Sequence, residues 1–232
     1  MLIKLFIFGF PGSGKSTVSR YIVDHVQRSY KSWLAQRICD YDILYNMFKQ
    51  DTRCKDFYPV KHGGFYVTDP AKYDHALKRL EKSVNSLSNK GNRLLVIEFA
   101  RGDYAKAIKI FHDSFFLNSS YLFLYADLST CLERIARRVK DQRSIDDHFV
   151  PEHSLERFIG ATAEDYPESV CSQIQGSFEG RYSRFKIIDS SGSKESTIAK
   201  ARTFADEIIK QGVLLRPWEA VPNISFPLFR YA

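Results

Sequence analysis

Apolar and polar positions switch repeatedly along the chain between a strand period and a helix period. Leu2 to Phe8 is an apolar, β-prone run broken only by Lys4, and Thr17 to Ser29 follows with Val18, Tyr21, Ile22, Val23 and Val26 at helical spacing. Trp33 to Cys39 reads as a second, weaker strand. A helix begins at Asp40-Tyr41-Asp42, one of the two aspartates lying near its N-cap, with Ile43, Leu44, Met47 and Phe48 on one face. Pro70 to Lys90 is helical by the spacing of Tyr73, Ala76, Leu77, Leu80, Val84 and Leu87, with Gly91 as its stop. Arg93 to Ala100 has the continuous apolar centre of a buried parallel strand and delivers Glu98 at its end. Beyond it the pattern predicts a helix from Tyr104 to about Phe116, a strand over Tyr121 to Ala126 and a helix over Ser129 to Val139. A strand over Arg184 to Asp189 and a helix over Glu195 to Gln211, stopped by Gly212, complete the series. Such alternation predicts an α/β fold with five strands in a parallel sheet joined by right-handed crossovers.

Three stretches lack a period. Residues 52 to 69 mix Phe57, Tyr58, Phe65 and Tyr66 with basic residues and Gly63-Gly64, and read either as a substrate-facing loop or as a packed surface excursion. Residues 140 to 180 are rich in charge, with helical spacing over Pro151 to Ala163, and have the composition of a lid inserted into the domain. The tail, 213 to 232, carries Pro217, Pro222 and Pro227 among large apolar residues, which forbids a helix and suits packing along the domain or onto a second copy of the chain. No internal repeat is present.

Composition narrows the picture. With 232 residues, 44% of them hydrophobic, the chain can build one sizeable core, so 1 to 232 reads as one domain with insertions. A formal charge of +7 and a pI near 9.1 suit an anionic substrate and are compatible with nucleic acid. Cys39, Cys54, Cys131 and Cys171 form no paired spacing and read as reduced thiols of a cytoplasmic protein. The apolar N-terminal run is too short for a signal peptide, and no run is long enough to span a membrane.

The chemistry begins at Gly9-Phe10-Pro11-Gly12-Ser13-Gly14-Lys15-Ser16-Thr17, which fits G-x-x-x-x-G-K-[ST] between a strand and a helix. Glycines 9, 12 and 14 let backbone N–H groups converge on a phosphate, and the helix N-terminus adds its dipole. Gly9, Gly12, Ser13, Gly14, Lys15, Ser16 and Thr17 are therefore the candidate nucleotide-binding residues, Lys15 reaching the β- and γ-phosphates of ATP and the Ser16 hydroxyl ligating Mg²⁺. Asp40 and Asp42 follow the second strand on the side of the sheet where ligands bind. Glu98 ends the third strand, where P-loop proteins often place an acid that holds Mg²⁺, or it caps a helix or pairs with a cation. Arg101, in the next turn, is placed to grip an anionic substrate. Arg134, Arg137 and Arg138 share one side of a helix that leads to Arg143. Asp146-Asp147-His148 lacks the second cluster that a metal site needs.

Taken together, the phosphate loop and the order of elements resemble the P-loop kinases of the nucleoside-monophosphate-kinase-like superfamily, over about residues 1 to 210. That resemblance implies a three-layer α/β/α fold with a five-stranded sheet in the order 2-3-1-4-5 and an inserted lid. It implies that Asp42, the second aspartate of a D-x-D segment, orients or deprotonates the acceptor hydroxyl, with Asp40 as its support. Tyr45 stands where many relatives carry an arginine, and Glu98-Phe99-Ala100-Arg101 is similar to the D-G-x-P-R turn of nucleotide kinases, with glutamate for aspartate. Arg138 and Arg143, ahead of Arg134, fall where these kinases place lid arginines on the transferring phosphate. The implied function is ATP-dependent phosphotransfer to a hydroxyl or phosphate of a metabolite, nucleotide or nucleic-acid end. A nucleotide-dependent switch or ATPase acting through a protein partner is the alternative, and the chain lacks the N-K-x-D of guanine specificity.

Overall fold

The computed structural model describes residues 1–60, 63–87, 91–117, 119–150 and 184–214. Strand β1, Leu2–Gly9, is the centre of the molecule, with Leu5 to Phe8 inaccessible to solvent. Its alternation is hidden in the sequence because both faces are apolar. Ile3, Leu5 and Ile7 meet helix α1, Lys15–Ser29, and the last helix, while Phe6 and Phe8 meet an aromatic layer on the opposite side. Each fully buried side chain of this size contributes roughly 1.5 to 3 kcal/mol, so the strand is held firmly in register.

The remaining main elements follow in order. They are β2 (Trp33–Cys39), α2 (Asp40–Gln50), β3 (Phe57–Pro59), β4 (Phe65–Val67), α3 (Ala71–Asn85) and β5 (Asn92–Glu98). After these come α4 (Tyr104–Ile108), β6 (Ser119–Tyr125), α5 (Leu128–Lys140), β7 (Arg184–Asp189) and α6 (Lys194–Leu214). The large sheet is wholly parallel in the order β2-β5-β1-β6-β7. Counting only its own strands, that is 2-3-1-4-5, the order the resemblance implies. On the α1 side the core is aliphatic, joined by Phe204, Ile208 and Ile209 of α6. On the α3 side it is aromatic, with Phe111, Phe115, Phe116, Tyr121 and Phe123 packed around Phe6 and Phe8.

Several expectations change. The helix expected over Tyr104 to Phe116 is a short α4, capped by the Asp103 side chain on the Lys106 amide, followed by a 3₁₀ turn over Asp113–Phe116. Residues 52 to 69 contain a two-stranded antiparallel hairpin, β3 with β4, whose Phe57 is buried against Leu44, Met47 and Ala76. Gly212 lies inside α6 and does not stop it; a Cβ there would come within 2.5 Å of Ile3 Cδ1, so the glycine lets the helix run close to β1. Lys4, the interruption in the first run, is buried with its Nζ on the Phe115 carbonyl and 5.1 Å from that ring's centre. Burial lowers its pKa to about 8, with Glu81 opposing the shift. Among the described residues no helix is long and apolar enough to cross a membrane. Most of the expected lid, from residue 151, and the tail from residue 215 lie outside the described residues.

Candidate active site

The phosphate loop is shaped by its own protein before any ligand is considered. Gly9 has φ of 141°, and a Cβ there would stand 2.3 Å from the Leu124 carbonyl oxygen of β6. Gly14, the α1 N-cap, also has positive φ, but a Cβ there would meet nothing within 4 Å. The first glycine is thus demanded by strand packing and the last by backbone conformation in front of open space. The Tyr104 hydroxyl accepts from the Gly9 amide at 3.0 Å, with its proton in reach of the Gly9 and Phe99 carbonyls. From the other side Ser190 Oγ donates to the Ser13 carbonyl at 2.8 Å. Lys15 curls back to donate to the Gly9 and Phe10 carbonyls at 2.8 and 2.7 Å, and its burial lowers its pKa to about 8.

This loop forms one wall of a cleft of about 730 Å³. Ser16 and Thr17 line it with Arg134 and Arg138 of α5. The opposite wall is built from Asp40, Tyr41, Phe65, Tyr66, Tyr73 and Arg101. Tyr41 stacks on His148 at 3.8 Å between ring centres and on Phe65 at 5.5 Å, both nearly parallel. His148 lies among these groups with its pKa lowered to about 4 by burial and by Arg138, so its ring is neutral at physiological pH.

The carboxylates divide sharply by what they touch. Asp40, buried at the start of α2, accepts from Arg101 Nη1 at 2.5 Å. Arg101 also stacks over the Tyr73 ring, 5.0 Å from its centre; Asp40 meets its charge, while its Nε is buried without a hydrogen-bond partner. Glu98 is 1% exposed and accepts from Ser19 Oγ at 3.0 Å and from Arg37. Asp146, in the 3₁₀ turn over Ile145–Asp147 that follows α5, accepts from Arg20 and, at 2.9 Å, from Arg37. Asp42 is the acid left over. It approaches Arg37 only to 3.9 Å, its side chain is 42% exposed, and burial raises its pKa against the pull of Arg37. It is not among the residues that line the cleft, although Asp40 and Tyr41, which precede it in the chain, are.

The arginines after β6 separate in the same way. Arg134 donates to the Ser190 carbonyl at 2.5 Å and reaches the Gly12 carbonyl at 3.5 Å, while Arg137 forms an exposed pair with Glu133. Arg138 donates through Nε to the His148 carbonyl at 3.1 Å, and its Nη2 is buried without a hydrogen-bond partner. Arg143 is the correction in this set: it is exposed, paired with Asp141, and does not line the cleft. Only Arg138 offers the cleft an unsatisfied guanidinium nitrogen among these four.

The magnesium assignment to Ser16 and Glu98 divides too. Among the described residues the Ser16 hydroxyl accepts from Arg37 Nη2 at 3.4 Å, and its chemistry suits a metal ligand. Glu98 is engaged by the Arg37 guanidinium, which also reaches Ser16, and it stands with Cys39 and Asp146, whose ligand atoms lie within 4.8 Å of one another, a grouping that could hold an ion. Arg37 and Arg20 were not among the sequence candidates. Arg37 nevertheless carries a readable signal, since it shares strand parity with Trp33, Ala35 and Cys39, the inward positions of β2. A cation at an inward position of a strand needs a buried partner.

A family model described as AAA domain matches residues 5–157, from β1 past the 3₁₀ turn that carries Asp146. No curated protein matches the chain. Among solved structures, Kti12 from Chaetomium thermophilum, in complex with ADP-AlF3, is similar over 89% of this chain and 97% of its own, at 15% identity and a TM-score of 0.55. APE1195 is similar over 89% and 96%, at 15% identity and a TM-score of 0.50. A gluconokinase from Sinorhizobium meliloti 1021 covers 91% of this chain and 96% of its own, at 17% identity and a TM-score of 0.49.

Proposed function

The chain belongs to the AAA-domain family and has the fold of the P-loop kinases of the nucleoside-monophosphate-kinase-like superfamily, and from that premise we propose that it is an ATP-dependent phosphotransferase. The acceptor group is a hydroxyl. The observation that carries this reading is the two-walled cleft, in which a phosphate loop faces a second, aromatic wall; Asp42, next in the chain to its lining residues Asp40 and Tyr41, meets Arg37 only at 3.9 Å. A protein that only hydrolyses or senses a nucleotide has no need of that second wall.

The roles follow from the contacts. Backbone amides of the loop and Lys15 hold the phosphates, and the ammonium exchanges the Gly9 and Phe10 carbonyls for phosphate oxygens, which are stronger acceptors. Arg138 Nη2, buried and unpartnered, gains its missing acceptor from the transferring group. Asp42, with its pKa raised, takes the hydrogen bond of the acceptor hydroxyl and orients it for in-line attack. A phosphate acceptor is disfavoured because Arg101, the cation of that wall, is already neutralised by Asp40. Tyr41, Phe65 and Tyr73 suit the flat face of a ring instead.

The test is a phosphate-transfer screen with labelled ATP across nucleosides, sugars, nucleotides and 5′-hydroxyl oligonucleotides. Transfer to one hydroxyl class is expected, and Asp42→Asn should lower kcat about 100-fold while leaving nucleotide affinity unchanged. Label released only to water across the whole panel would reverse the conclusion in favour of an ATPase.

A further inference from the structure

The β3–β4 hairpin turns one set of rings into the fold and another away from it. Phe57 is buried against Leu44, Met47 and Ala76 and anchors the hairpin to α2 and α3. Tyr58, the next residue, stands directly opposite Tyr66 in the antiparallel register, so both side chains lie on the face turned away from Phe57. Tyr58 is 61% exposed and Tyr66 41%, and Tyr66 also lines the cleft. Neither ring belongs to a buried cluster. An aromatic surface therefore continues from Phe65 and Tyr66 in the cleft wall to Tyr58 outside it.

The charge left over beside this face is positive. Asp51, ahead of β3, accepts from the amides of Lys55, Asp56 and Phe57 at 3.1, 2.6 and 2.9 Å, and Asp56 pairs with Lys72 at 2.7 Å. Those acids are engaged within the fold. Lys49, Arg53 and Lys55 are exposed and form no ion pair among the described residues, and Lys49 lies over the Tyr45 ring, 4.7 Å from its centre. Exposed rings beside unpaired cations are what hold unpaired bases and the phosphates between them. A metabolite small enough to sit inside the cleft would reach neither Tyr58 nor these cations. A ligand that uses both is an anionic chain that enters the cleft by one end.

We propose that the substrate bearing the acceptor hydroxyl is a single-stranded nucleic acid: its terminal nucleotide enters the cleft, the bases behind it stack on Tyr66 and Tyr58, and Lys49, Arg53 and Lys55 meet its phosphates. The inference rests on the phosphotransferase reading and names its substrate class. In the transfer step the terminal hydroxyl oxygen bonds to the γ-phosphorus, the bond from that phosphorus to the β,γ-bridging oxygen breaks to release ADP, and the hydroxyl proton passes through Asp42 to water.

Anisotropy of a dye-labelled single-stranded 12-mer titrated with the full chain reads the surface directly. Binding at 50 mM salt should weaken about tenfold at 200 mM, as expected when two or three phosphates are neutralised. Tyr58→Ala should weaken it about tenfold, Tyr58→Phe should hold the wild-type value, and neither should change ATP affinity. Arg53→Gln with Lys55→Gln should flatten the salt dependence. Absence of binding at 50 mM salt overturns the inference. So does a Tyr58→Ala variant equal to wild type, or a duplex of the same length bound as tightly as the single strand. A wild type that ignores the strand yet passes labelled phosphate from ATP to a small hydroxyl loses this inference and keeps the phosphotransferase reading. Label released only to water, with the strand present, takes down that reading and the substrate with it.

Discussion

The two walls of the cleft are made in opposite ways. The wall on the phosphate-loop side is built on one unbroken stretch, Pro11 to Thr17, joined by Arg134 and Arg138 of α5, with Tyr104 and Ser190 bracing the loop. The facing wall is gathered from α2, β4, α3 and the turn after β5, and its side chains already hold one another, Asp40 with Arg101 and Tyr41 with Phe65 and His148. One wall is thus fixed by local conformation and is insensitive to what it binds, while the other can be retuned by exchanging a single side chain. In a phosphotransferase that division keeps the donor constant and lets the acceptor vary.

The contrast can be broken most severely at the loop. Gly9→Ala would force a Cβ against the Leu124 carbonyl at a backbone angle hostile to alanine, and the expected result is a loss of at least about 3 kcal/mol of stability together with nucleotide binding. Thermal melts with and without ATP measure it. Lys15→Ala should separate the two effects: nucleotide affinity falls about 100-fold, while the melting temperature of the empty protein holds or rises because a buried ammonium is gone. On the facing wall a smaller and more selective change is expected. Tyr41→Ala should raise the acceptor KM by about five- to tenfold, the worth of a stacked ring, and leave the KM for ATP unchanged. An equal rise in both would show that the walls are not independent.

Lys4 serves as the control outside both walls and carries the smallest effect. Its pKa is about 8 in the folded protein and near the ordinary lysine value when unfolded, so between those values the unfolded chain binds the extra proton and stability rises with pH. Below about pH 8 the charged ammonium is held in both states and the burial cost is fully felt. Lys4→Met should remove this slope, with no change in ligand affinity. Urea titrations at several pH values follow it.

What was legible in advance follows the same division. The turn of Gly9 to Thr17 between a strand and a helix, the five sheet strands and the helix face of Ala76, Leu77, Leu80 and Val84 are encoded by neighbours in sequence and are found where the sequence pattern predicts them. The long helix from Tyr104 failed because Tyr104, Ala107, Ile108, Phe111 and Phe115 satisfy a helical spacing, yet a short helix and a 3₁₀ turn bury the same aromatics around Phe6 and Phe8. The β3–β4 hairpin has strands of three residues, too short to show a period. Within residues 52 to 69, Phe57 is packed while Phe65 and Tyr66 line the cleft. Pairings such as Arg37 with Asp146, 109 residues apart, leave no local trace at all. Only the strand parity of Arg37 pointed inward, and parity does not name the partner.

The phenol of Tyr104 has a consequence for how fast a nucleotide is captured. Because one buried hydroxyl anchors the amide of Gly9, with the carbonyls of Gly9 and Phe99 in reach of its proton, the entrance of the loop is already in shape when the ligand arrives. Association then has no loop-ordering step to wait for and can approach the rate of productive encounter. Tyr104→Phe keeps the ring in the aromatic layer and removes only that anchor, so it converts a rapid, single-step association into one that slows as the loop must first find its conformation.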